Sequence, residues 1–353
     1  MAITLFANEL YALPILRPLQ AAARQRGIDA AWMLPDKLAE RLHDDETRLT
    51  SLVEARQFDA QAVFCAANWV APALPGYKVQ VFHGFSTDKR SRERGHFRLR
   101  GFFDLYCTQG PSTTGPFREL AARHKYFAVE ETGWPKVDPL FQPAAAAVQE
   151  LRAAAQGRPC VMYASTFTAS LASAPDMLHT LRQLVARGDR YWLLTLHPKC
   201  SPELFDAYRA LAAGHPENAV FLDSERLLDM LHAADALVCD TSSVIDEMAV
   251  QLKPVVTVRN RIPKPFMLDV DTPDEVDAAI GHALRQPNDL MARIREHADA
   301  AHPWRDGRSS ERVLDAADRL ARGDHGRRRR KPANLIRRWK ARKRLHEILP
   351  ASR

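Results

Sequence analysis

Short, largely apolar runs of four to six residues recur along the chain, separated by stretches rich in Ala, Leu, Arg and Glu. This alternation constrains the fold more than any other feature. A strand with one face in water alternates polar and apolar residues. A run that is apolar throughout must be covered on both faces, as in a parallel sheet flanked by helices. The first half predicts strands at Ile3–Ala7, Ala30–Leu34, Ala62–Ala66, Val79–Phe82, Leu105–Thr108 and Tyr126–Val129, with helices at Pro18–Arg26 and Pro116–Arg123. An Ala-rich helical stretch follows Phe141. The pattern then restarts, with strands at Cys160–Ala164, Tyr191–Leu196, Ala219–Leu222, Ala236–Cys239 and Val255–Val258. The intervening helices fit Asp176–Arg187, Pro202–Ala213, Glu225–Ala233, Val244–Gln251 and Asp274–Arg285. The expected fold is α/β, with two Rossmann-like doubly wound domains facing a cleft, at residues 1–145 and 146–322. A length of 353 residues suits two such domains. Ligands of these sheets bind beyond the carboxyl ends of the strands.

Charge is unevenly placed. The net charge is +7, yet residues 327–353 hold twelve Lys and Arg against one acidic residue, Glu347. Residues 1–326 therefore carry 38 basic against 42 acidic side chains. The body is mildly acidic, which excludes reading the whole chain as a nucleic-acid binder. Residues 323–353 read as a basic tail separable from the body. Within it, a helix over Asn334–Leu349 has an imperfect apolar face of Leu335, Ile336, Trp339, Leu345, Ile348 and Leu349. Basic residues with Trp and aliphatic side chains suit an anionic membrane surface; a solvated charge run is the plainer alternative. No apolar run reaches the roughly 18–20 residues of a membrane span. The N-terminus lacks a basic region and is not expected to be a signal peptide. Five cysteines without CxxC spacing read as reduced thiols of a cytoplasmic protein.

Chemistry-bearing residues collect where strands end. His83-Gly84 follows the Val79–Phe82 run, with Lys89, Arg90, Arg92 and Arg94 just beyond. A strand-end histidine is placed for proton transfer, and the basic residues could neutralise phosphate. A structural His beside solvated charges is the other reading. His197-Pro198 repeats the arrangement in the second half, where Pro198 holds His197 extended. Asp240-Thr241-Ser242-Ser243 lies between a strand and a helix with Asp246 in its first turn. One of these residues would suffice as an N-cap; three successive hydroxyls favour phosphate binding. Ser165-Thr166 after the Cys160 strand, and Gly133-Trp134-Pro135-Lys136-Val137-Asp138 near the domain exit, are weaker candidates that could be plain turns.

In this order, these segments resemble the CDP-glycerol glycerophosphotransferase family of teichoic-acid-type polymerases and primases, which is similar to GT-B glycosyltransferases. The resemblance spans residues 80–258 well. It implies His83 as general base for an acceptor hydroxyl, with His197, Ser242 and Ser243 at the donor pyrophosphate and Ser165, Thr166, Asp240, Thr241 and Asp246 around the donor. His197 then also counts as catalytic, and Gly84, Lys89 and Lys136 become possible phosphate or acceptor contacts. The expected activity is transfer of a phosphopolyol, most simply glycerol phosphate from CDP-glycerol, onto a cell-surface polysaccharide or its lipid-linked precursor. No cofactor and no obligatory metal are expected. The expected partners are the nucleotide-activated donor, a glycan acceptor and the inner face of the membrane, reached through residues 327–353; nucleic acid is not among them. A GT-B glycosyltransferase using a nucleotide sugar, and a non-enzymatic membrane- or RNA-binding module, stay open as alternatives.

Overall fold

A computed structural model describes residues 2–85 and 95–349. Two all-parallel six-stranded sheets form. The first contains β1 (Ala2–Phe6), β2 (Asp29–Met33), β3 (Ala62–Cys65), β4 (Tyr77–Gln80), β5 (Leu105–Thr108) and β6 (Ala128–Glu131), in the order β2-β1-β3-β4-β5-β6. The second contains β7 (Cys160–Ser165), β8 (Tyr191–Leu196), β9 (Ala219–Phe221), β10 (Ala236–Cys239), β11 (Val255–Val258) and β12 (Leu268–Val270), in the order β12-β11-β10-β7-β8-β9. Counted from β7, this is the 3-2-1-4-5-6 order of a dinucleotide-binding sheet. Its order reverses between β7 and β10. The corresponding reversal in the first sheet lies between β1 and β3.

The apolar runs explain these strands. Every residue of β7, β8, β10 and β11 is buried, as helices on both faces require. The helix Ala174–Arg187 turns Met177, Leu181, Leu184 and Val185 inward at helical spacing. The short edge strand β12 and the helix Leu52–Phe58 were not expected. The first lacks a continuous apolar run and the second buries only Ala55.

The observed units differ from the expected domains. One takes in the described residues up to Asp138 and again from Ala301 onward; the other is Pro139–Ala300. Residues 301–322, expected with the second sheet, therefore belong with the first. Two groups hold them there. Both Asp138 carboxylate oxygens accept backbone N–H bonds at the start of the helix Ser309–Arg322, from Ser309 at 2.8 Å and Ser310 at 2.7 Å. His302 Nε2 accepts the Trp134 backbone N–H at 2.9 Å. Gly133 sits at φ +80°, where a Cβ would fall 2.4 Å from Ser309 Oγ and 2.9 Å from His302 Nε2. The Gly-Trp-Pro-Lys-Val-Asp segment is thus a clasp for the returning chain rather than a mere turn. The helix it receives buries Val313, Leu314, Ala316, Ala317 and Leu320 and packs on the helix Leu13–Gln25.

Nor is the tail separable. In the helix Leu335–Ile348, Ala341, Leu345 and Ile348, followed by Leu349, enter the core of the first unit with Trp69, Phe102, Tyr106 and Phe127. Only Leu335, Ile336 and Trp339 of the expected apolar face are exposed. Leu345→Ala should therefore lower stability by about 2–4 kcal/mol, whereas Trp339→Ala should change it by no more than about 0.5 kcal/mol. Urea unfolding midpoints of the two variants check this.

Candidate active-site residues and the family match

In the first unit, β4 delivers His83 through a distorted residue. Phe82 has φ +61°, a left-handed conformation that costs a non-glycine residue on the order of 1–3 kcal/mol. Its surroundings hold it there. The ring stacks on His96 at 4.7 Å and meets Phe117 edge-on at 5.1 Å, while its carbonyl accepts from Trp134 Nε1 at 3.4 Å. The backbone turn leaves His83 exposed, with Nδ1 3.2 Å from the Ala66 carbonyl just beyond β3. A carbonyl only accepts, so Nδ1 carries the proton and Nε2 is the basic nitrogen. Tyr11, from the loop after β1, lies against the ring at 5.4 Å. His83 thus stands at the reversal point of its sheet.

The segment beyond His83 is anchored too. Gln109 Nε2 donates to the Gly84 carbonyl at 2.7 Å, and Phe85 packs on Trp134 at 4.9 Å. Lys136 lies with its ammonium 5.4 Å from the Trp134 ring. Lys89 and its basic neighbours fall outside the described residues. His302 is buried and His96 half-buried, and both are neutral. Burial, then the charge of His83, pulls His96 down to about 4; burial, then Arg312, pulls His302 down to about 3.

In the second unit, Asp240 lies wholly buried at the reversal between β10 and β7. It accepts from Ser165 Oγ at 2.6 Å, Thr166 N at 3.0 Å, Ser173 N at 2.9 Å and Ser173 Oγ at 3.1 Å. Its carboxylate is spent on shaping the loop between β7 and the helix Ala174–Arg187. Asp240 and Ser165, both expected around the donor, have their side chains buried against one another. Thr241 is also committed, since its Oγ1 accepts from Arg261 N at 2.9 Å. Asp246 pairs with His297 Nε2 at 2.9 Å, and the His297 ring stacks on Phe266 at 3.7 Å.

His197, Ser242 and Ser243 remain at the surface, half-buried to exposed. His197 Nδ1 accepts from Lys199 N at 3.1 Å, so in the neutral ring Nε2 carries the proton. Burial, then the charge of Lys199, holds the pKa of His197 below its ordinary value. The ring rests on Phe167 at 4.4 Å. His197 is therefore a neutral hydrogen-bond donor, the opposite tautomer to His83. The helix after Ser243 is shorter than expected, Val244–Ala249, which shifts weight from its dipole to these side chains.

Sequence reasoning missed several partners. Ser173 and Asn260 reach Asp240 from loops with no apolar pattern, Asn260 Nδ2 donating to the Asp240 carbonyl at 3.3 Å. The metal-free expectation also passed over Asp269-Val270-Asp271, an Asp-x-Asp by spacing. There Asp269 accepts from Thr257 Oγ1 at 2.6 Å and Asn260 N at 2.9 Å, which ties β12 to β11. Among the described residues, no group of three or more His, Cys, Asp or Glu could hold a metal ion.

The sequence profile of the CDP-glycerol:poly(glycerophosphate) glycerophosphotransferase family matches residues 103–317. The chain belongs to this family. It is a glycerophosphotransferase-type transferase. Among curated proteins no relative matches it in sequence. The wall teichoic acid polymerase TagF shares its fold at 15% identity, with a TM-score of 0.66 over 93% of this chain and 90% of the polymerase structure. The S. aureus protein MnaA, solved with UDP, does so at 14% identity and a TM-score of 0.61, covering 94% and 100%. A putative UDP-N-acetylglucosamine 2-epimerase from Listeria monocytogenes gives 16% identity and a TM-score of 0.61, covering 94% and 99%.

Two outcomes test these local arrangements. Asp240→Ala strands two backbone N–H groups and two hydroxyls and should cost about 3 kcal/mol or more in urea unfolding. The second concerns pH. An unfolded His titrates near 6.5, so it takes up a proton that folded His302 refuses. Stability is therefore fully present above about pH 6.5 and is lost as the pH falls toward 3, at roughly 1.4 kcal/mol per unit. His302→Gln keeps an acceptor without titrating and should flatten this acid limb in denaturation measured from pH 7 to 4.

Proposed function

We propose that the protein transfers glycerol phosphate from CDP-glycerol to a hydroxyl of a cell-envelope polysaccharide or its lipid-linked precursor. His83 Nε2 takes the proton of the acceptor hydroxyl. The freed oxygen attacks the phosphorus that bears the glycerol, the bond from that phosphorus to the bridging oxygen breaks, and CMP leaves. His197 Nε2–H, with the Ser242 and Ser243 hydroxyls, donates to the diphosphate and stabilises the charge that grows on the departing nucleotide. Thr166 lies on the loop that Asp240 shapes and adds a further donor. Gly84 and Lys136 are possible acceptor-side contacts.

The observation that carries this reading is the opposed tautomers. One backbone carbonyl makes a base of His83, and one backbone N–H makes a donor of His197. In-line displacement at phosphorus needs those two roles and little covalent chemistry. A TagF structure soaked with CDPG shares the fold at 13% identity, with a TM-score of 0.66 over 92% of this chain and 90% of that structure, and supports the choice of donor. The reading includes no obligatory metal, so activity should persist in EDTA. It also places the protein on the cytoplasmic face of an anionic membrane, with the basic helix Leu335–Ile348 as the contact. No helix among the described residues is long and apolar enough to cross a membrane.

The deciding experiment follows CMP release from CDP-glycerol with defined acceptors. His83→Ala should lower kcat by about 10²–10⁴-fold and leave donor affinity unchanged. His197→Ala should weaken donor binding about tenfold, the loss of one good hydrogen bond to a charged group. Wild-type turnover in His83→Ala would exclude the base role, and release of a different nucleotide from a sugar donor would favour a glycosyltransferase.

A further inference from the structure

The first unit holds a second concentration of positive charge, away from His83. A cavity of about 360 Å³ is lined by Arg98, Arg100, Arg337, Lys340 and Arg344, with Trp69 in its wall. Among the side chains that the structure describes, no carboxylate forms an ion pair with any of the five cations. The nearby Asp104 is already taken by Lys331 at 2.7 Å.

These like charges are not a loose surface scatter. Three bonds clamp the 99–104 segment to the C-terminal chain: Asn334 Nδ2 to the Arg100 carbonyl at 3.1 Å, Arg337 Nη1 to the Leu99 carbonyl at 3.3 Å, and Lys331 Nζ to the Phe102 carbonyl at 2.8 Å. Arg344 lies over Trp69, 5.6 Å from the ring centre. The buried side of the same helix, through Ala341 and Leu345, fixes the height of Arg337, Lys340 and Arg344. Burial and then the charges of Arg98, Arg337 and Arg344 push the Arg100 guanidinium below its ordinary range. The fold thus spends stability to hold five cations together around one cavity. A bound anion would reverse that cost.

We propose that this cavity is a binding site for a phosphate ester, held between Arg98 and Arg100 on one side and Arg337, Lys340 and Arg344 on the other. Guanidinium groups match phosphate oxygens in pairs, and the wall supplied by Trp69 suits the organic part of an ester. The cavity is larger than one phosphate group needs. The ester is carried by a soluble molecule or by a lipid headgroup, and the exposed Leu335, Ile336 and Trp339 on the same helix would sit in the interface in the second case. Only that second source shares ground with the membrane contact proposed above.

The test uses the full chain and three variants, Arg100→Gln, Arg344→Gln and Arg342→Gln. Arg342 is exposed on the same helix and lies outside the cavity, so it matches the charge change without touching the site. One arm titrates glycerol 3-phosphate and inorganic phosphate at constant ionic strength, read by calorimetry and thermal shift. The other sediments the protein with phosphatidylglycerol/phosphatidylcholine vesicles and with pure phosphatidylcholine. Arg100→Gln and Arg344→Gln should each lose about tenfold in affinity in at least one arm, while Arg342→Gln keeps wild-type affinity in the soluble arm and loses clearly less than either in the vesicle arm, where the whole helix meets the anionic surface. Loss in the soluble arm identifies a soluble ester; loss confined to the vesicle arm identifies a lipid headgroup. Without ligand, Arg100→Gln should be at least as stable as wild type, which separates lost binding from lost folding. Equal losses in all three variants, or no loss in either arm, would overturn the site. CMP release with soluble acceptor should stay at the wild-type rate in Arg100→Gln, so failure here and failure of the transferase reading are told apart.

Discussion

The second sheet depends on one buried carboxylate. Asp240 sits where the strand order reverses, the one place where the two halves of a doubly wound sheet part and leave a crevice. A charge buried there is tolerated only when every lone pair is met. Meeting it draws in Ser165 and Thr166 from the end of β7 and Ser173 from the head of the next helix. The loop that borders the crevice is therefore not free to wander. His197, whose backbone N–H reaches the Ser165 carbonyl at 3.1 Å, inherits its position from the same network. The groups proposed to touch phosphate are thus placed around a carboxylate that is itself wholly buried.

The first unit solves a related problem with Asp138 and His302. Both are buried polar groups, and both bind backbone N–H groups rather than side-chain charges. One caps a helix and the other receives the backbone of Trp134. The same Trp134 then reaches the carbonyl of Phe82 with its indole nitrogen and braces the left-handed turn that presents His83. The clasp for the returning chain and the support of the proposed base are thus one structure.

The fold class was legible because burial on both faces leaves its mark in uninterrupted apolar runs. β5, β8, β10 and β11 fall at their expected limits for that reason. The strand-end histidines were legible for the same reason: a strand whose limits are known places the residue after it. Other features left no comparable mark. Asp240 and Ser165 look like ligand groups in a motif, and the bond that buries one against the other left no mark in the sequence. The assignment of residues 301–322 to the first sheet turns on hydrogen bonds spanning about 170 positions, which no local pattern records. In the tail, the charge count hid the division of one helix into a buried apolar side and an exposed one.

The path of the chain has a consequence for biogenesis. The second unit is one contiguous stretch and can close as soon as it clears the ribosome. The first sheet is synthesised earlier, yet its covering helix and the last pieces of its core lie beyond Ala301. Until the residues beyond Ala301 have been made, its apolar faces around Trp69 and Phe102 lack part of their cover, the condition in which chains aggregate or recruit chaperones. The unit made first is finished last.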